Sequence, residues 1–269
     1  MPTVDDRLKH VTLKILRAKE HAAELNRQIG EFFGNNPYKV ATKVDSDTKK
    51  IIYYVSSVES VPDTIPLVAG DAIQNLMSAL DHLAYQLVCS DTGDNPPNPN
   101  WIYFPISDDA SKYNEKKAGK ILGAAQATFD AIDGLKPYKG GNDLIWKLYR
   151  LNNIEKHRLL LTVGSHAAGI HLGQLLATHV GENFPPKAVE AMKSMNHYLM
   201  PADKGFPLKE GFELYIGAEN EKPNPELKFR FSVALNEPGI AEGEPLLEII
   251  NQLVILVEDI TKTLTPLLK

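Results

Sequence analysis

The chain is 269 residues long, 43% hydrophobic and 23% charged, which is enough apolar sequence to bury a core and too much for intrinsic disorder. Its formal charge of −5 excludes a global basic field of the kind that drives non-specific nucleic-acid binding, so any such contact has to be local. The single cysteine, Cys89, excludes an internal disulfide framework, and no apolar run approaches the roughly 20 residues that cross a bilayer, so no membrane partner is expected.

The acidic start, Met1-Pro2-Thr3-Val4-Asp5-Asp6, lacks the basic and then apolar pattern of a secretory signal, and a reducing, cytoplasmic location is the expectation. Leu8, Val11, Ile15, Leu16, Ala22, Ala23, Ile29 and Phe33 then recur at roughly helical spacing and predict one long helix over about 5–34. Gly34-Asn35-Asn36-Pro37 stops it. The β-rich runs 38–44 and 50–58 flank Asp45-Ser46-Asp47, which has turn chemistry, and predict a hairpin over 38–58. Pro66 presets the backbone angle of a first helical turn, so a second long helix is expected over about 66–90, ended by Ser90-Asp91-Thr92-Gly93. The proline-rich run 94–99 can neither continue a helix nor donate the bonds of a central strand and reads as a surface loop.

A weaker helix over about 116–132 precedes the breaker Lys136-Pro137-Tyr138-Lys139-Gly140-Gly141, after which Asn142 can cap a helix reaching about 162. From 164 to 235 glycines, prolines and alternating runs, notably 212–218 and 227–235 around Asn224-Pro225, predict a small antiparallel sheet. Leu246, Ile249, Ile250, Leu253, Leu256, Val257 and Ile260 form the apolar stripe of a closing helix over 244–268. No linker is long or biased enough to separate independent units, so one α+β, mostly α domain over 1–269 is expected, a bundle of long helices with an inserted hairpin and one small sheet.

On the second helix, Ile73, Leu76, Leu80, Leu83 and Leu87 share one side of a 100° wheel, and Gln74, Asn75, Ser78, Asp81, His82 and Gln86 the other. A solvated face carries lysines and glutamates, whereas amides, a hydroxyl, one Asp and one His are groups that hydrogen-bond one another or a ligand. Two explanations fit: a polar seam against another element, or a pocket. On the later helix, Arg150, Asn153 and His157 sit at i, i+3 and i+7 beside Trp146, Ile154 and Leu161, so the three project from one partly apolar side. There a histidine can serve as acid or base, or Arg150 can simply pair with an acid such as Asp81.

Arg150 and His157 spell Arg, six residues, His, which resembles the Arg-x4-6-His signature of the HEPN superfamily of helical bundles. That resemblance implies a HEPN-like helical-bundle fold and a metal-independent RNA endonuclease, or a degenerate nucleotide-binding relative, active as a homodimer. In it Arg150 would hold a phosphate oxygen, His157 move the proton of the RNA 2′-hydroxyl and Asn153 orient histidine or ribose, with Asp81 and His82 as further catalytic candidates. Residues 70–82, Phe104-Pro105-Ile106, Lys136-Pro137-Tyr138 and residues 151–158 also resemble a bacterial protein family of uncharacterised function. Gln74 stands where that family commonly has His and Met77 where it has Arg, so its second Arg-x4-His pair is incomplete here.

The competing expectation is a protein that binds a small ligand through Gln74, Asn75, Ser78 and Lys156, or a small-molecule hydrolase using Asp81 with His82 or His157 between helices. No phosphate-loop or Glu-x-x-His motif occurs, and no cofactor and no metal ligand set is expected.

Overall fold

The computed structural model describes residues 2–269 except 159–160, 162, 181–183, 196 and 200–205. Helix α1 (Val4–Gly34) begins in a capping box: the Asp6 amide donates to the Thr3 hydroxyl at 3.1 Å, and the Thr3 amide donates back to Asp6 Oδ2 at 2.9 Å. Its stripe of Val11, Ile15, Ala18, Ala22 and Leu25 is buried, while Leu16 remains exposed. Strands β1 (Tyr38–Val44) and β2 (Lys50–Val58) form the expected hairpin. Helix α2 (Thr64–Thr92) stops where Gly93 turns left-handed at φ +65°, a conformation that costs glycine little.

Every one of Ile73, Leu76, Leu80, Leu83 and Leu87 is buried, because α2 packs against α1, α5 (Asp143–Arg158) and α8 (Leu246–Leu264). The α8 stripe closes the same apolar cluster, with Leu246, Ile249, Ile250, Leu253, Val257 and Ile260 inside. Asn142 caps α5 through its Oδ1, which accepts the Ile145 amide at 3.2 Å.

The expected HEPN-like bundle with a hairpin and one small sheet is corrected: the fold is a mixed α+β architecture in which two antiparallel sheets accompany the helices. The first has the order β1-β2-β5, with β5 spanning Glu213–Glu219. The second has the order β4-β3-β6-β7, from Val163–His171 (β3), Tyr198–Leu199 (β4), Phe229–Glu237 (β6) and Ala241–Pro245 (β7). Runs 212–218 and 227–235 therefore do not pair with each other; β5 completes the hairpin, and β6 lies between β3 and β7. A two-stranded hairpin cannot bury its own apolar face, so a third strand from elsewhere is the stabilising solution.

The middle of the chain departs in the same way. In place of one weak helix there are α3 (Ala110–Lys120) and α4 (Gln126–Gly134), separated at Gly123, whose φ of +97° suits glycine and where a Cβ would fall 2.9 Å from Pro97 Cδ. Helices α6 (Leu172–Val180) and α7 (Pro186–Lys193) interrupt the stretch read as sheet. No helix among the described residues is long and apolar enough to cross a membrane.

Candidate functional site

The polar face of α2 divides between two neighbours. Toward α1 it forms a seam: Lys14 Nζ donates to Asn75 Oδ1 at 3.3 Å, the His10 and His82 rings lie 6.0 Å apart edge to face, and Arg7 Nη1 donates to Gln86 Oε1 at 3.3 Å. Asn75 also donates to the Asp71 carbonyl at 2.8 Å, one turn back. Burial first, then the charges of His10 and Lys14, hold His82 below the ordinary imidazole range. Gln74 is exposed and Ser78 half-buried. Of the expected pocket residues Gln74, Asn75 and Ser78, Asn75 takes part in a helix–helix seam.

Asp81 turns to a different neighbour from His82, although the two are adjacent in the chain. Its Oδ1 accepts the Phe104 amide at 3.0 Å, where the segment after the proline-rich loop crosses α2. Burial raises its pKa from 3.8 to about 6, against the opposing pull of the Phe104 hydrogen bond and of the Lys156 and Lys120 charges. Lys120, at the end of α3, is half-buried; it donates to the Ile106 carbonyl at 3.0 Å and lies 5.7 Å over the Tyr149 ring of α5. Burial lowers the pKa of this ammonium, and the Asp81 charge opposes that shift. A carboxyl and an ammonium are thus moved toward neutral pH on one face built by α2, α3 and α5, with Tyr149, Asn153 and Lys156 following one another at i, i+4 and i+7.

Arg150 is held one step away. Its Nη1 is 3.5 Å from Asp108 Oδ1, which also accepts the Trp146 indole N–H at 3.1 Å, so its partner is Asp108 and not Asp81. Its Nε is buried with no hydrogen-bond partner among the described residues, as are Asn152 Oδ1 and Glu155 Oε2 on the same helix. The Glu155 carboxyl packs where Gly70 leaves room on α2, since a Cβ at position 70 would fall 2.4 Å from Glu155 Cδ. Burial, and secondarily the Asp71 charge, raise its pKa. Asn153 is half-buried and Lys156 exposed; the side chain of His157 lies outside the described residues.

The structure therefore places Asp81 within the influence of the Lys156 and Lys120 charges, pairs Arg150 with Asp108, and turns Asn75 and His82 toward α1. The contacts that the sequence did not single out are Lys120, Tyr149 and Asp108. Phe104-Pro105-Ile106 was the one local signal, because its backbone supplies the donor to Asp81 and the acceptor for Lys120. No group of three His, Cys, Asp or Glu among the described residues is placed to hold a metal ion. No protein-family model, curated protein or solved structure matches this chain.

Proposed function

We propose that the α2–α3–α5 face acts on a small anionic ester by acid–base hydrolysis, with Asp81 as base. The observation that carries this reading is a carboxyl at about pKa 6 sharing a water-poor setting with Lys120, without an ion pair between them among the described residues. In the step proposed, water attacks the acyl or phosphoryl centre, Asp81 takes the water proton, and Lys120 returns a proton to the departing oxygen. Lys156, exposed at the rim, supplies the charge that draws the anion in.

The test is turnover of p-nitrophenyl phosphate and 4-acetoxybenzoate, a phosphate and a carboxylic ester that are both anionic. A rate that rises with pH through about 6 and is lost in Asp81→Asn supports the proposal. The absence of turnover of both esters, or full activity in Asp81→Asn, refutes it.

A second reading is metal-independent RNA cleavage by a homodimer through Arg150, Asn153 and His157. It is favoured by the unpartnered Nε of Arg150 and by the local charge, ten Lys and Arg against seven Asp and Glu over residues 108–158 in a chain of net −5. It requires EDTA-resistant cleavage that His157→Ala abolishes; cleavage that survives the substitution refutes it.

A further inference from the structure

We infer that the cleft between the end of α1, β1 and the start of β6 is a binding site for a small planar aromatic anion, distinct from the Asp81 face. Its volume is about 670 Å³, and Phe33, Tyr198, Phe229 and Phe231 are among the residues that line it. Ligand clefts commonly measure about 300–1,000 Å³ and combine an apolar, aromatic lining with a few polar groups that fix orientation.

Charge specifies the ligand further. Among the described residues the charged ones that line the cleft are Lys228 and Arg230, with no acid, in a chain whose net charge is −5. Arg7, Arg17, Arg27 and Arg150 each face a carboxylate, at Asp94, Glu20, Glu24 and Asp108 respectively. Arg230 has no such partner among the described residues. Its guanidinium carbon instead lies 5.7 Å from the centre of the Tyr198 ring. A guanidinium stacked on a ring keeps its in-plane N–H fork available, and that fork matches a carboxylate or phosphate. Aromatic residues in the lining and a guanidinium fork that meets no carboxylate among the described residues, with Lys228 as a second cation, call for both features in one molecule.

The experiment is calorimetric titration of the full chain with phenylphosphonate and with indole-3-acetate, neither of them an ester that the Asp81 face could turn over, using indole and inorganic phosphate as single-feature controls. The expected result is saturable binding of at least one ring-bearing anion, with each control weaker by about tenfold or more. Comparison of the two probes shows whether the fork takes phosphonate or carboxylate. Arg230→Gln should weaken binding about tenfold, whereas Asp81→Asn should leave it unchanged, which separates this site from the proposed catalytic face. Lys228→Gln, at an exposed position, should weaken it about threefold and serves if the Arg230 variant is unfolded. The proposal is overturned if neither probe saturates below about 1 mM, if a control binds as tightly as the probes, or if the folded variants at Arg230 and Lys228 keep full affinity.

Discussion

Replacing Asp81 by Asn should stabilise the protein, and only above the pH at which the carboxyl ionises. In the folded state burial raises the Asp81 pKa from 3.8 to about 6. A raised carboxyl pKa means that the folded chain holds the proton more tightly than the unfolded chain, so the associated stability is present below about pH 4 and is lost as pH rises through about 6. The shift of about two units corresponds to a ceiling of about 3 kcal/mol, and solvent reaching the half-buried group reduces it to about 1–2 kcal/mol. Asn keeps an oxygen to accept the Phe104 amide and carries no charge to desolvate. For a chain of this length the gain amounts to about 3–6 °C in melting temperature at pH 8. Thermal unfolding of both proteins at pH 4, 6 and 8 is the assay, and the quantity read is the difference between them, which removes the titration of shared groups such as Glu155. A gap that opens with pH supports the reasoning. Destabilisation at pH 8, or an equal shift at all three values, refutes it, because either result means that Asp81 is not a desolvated charge.

Two further substitutions test the contacts that join distant parts of the chain. Arg7 is buried and donates to Asp94 Oδ1 at 2.7 Å and to the carbonyl of Lys269 at 3.0 Å, so Arg7→Met should cost about 2–4 kcal/mol in urea unfolding; a loss below about 0.5 kcal/mol would show the clamp to be idle. Tyr38→Phe removes the buried bond from the Tyr38 hydroxyl to Ser165 Oγ at 2.7 Å, which links the two sheets, and should cost about 1–2 kcal/mol with Ser165 left unpaired; an unchanged urea midpoint would rule out that link as a stabilising contact.

The legible part of this protein was its local patterning. Helical spacing of apolar residues located α1, α2 and α8 to within a few residues, and the predicted stripes of α2 and α8 are largely the buried ones, whereas in α1 only Val11, Ile15 and Ala22 of the predicted stripe are buried and Leu16 and Ala23 are exposed. The hairpin and the Asn142 cap were legible because their geometry depends on neighbouring residues alone. The site was only half legible. Residue type and spacing marked the α2 polar face, but amides and a histidine on a helix look alike whether they meet a ligand or another helix, and only the packing of α1 turned Asn75 and His82 into a seam.

Tertiary structure alone decided the strand partners and the electrostatics. A strand's alternation says which residues share a face and nothing about which edge it joins, so β5 and β6 went to different sheets although a single turn region separates them. The pKa of Asp81 likewise depends on the Phe104–Ile106 crossing and on Lys120, 39 positions away, and that Arg230 meets no carboxylate among the described residues is visible only in the fold. Desolvation and charge pairing act through space, and the distances that set them exist only in the folded chain.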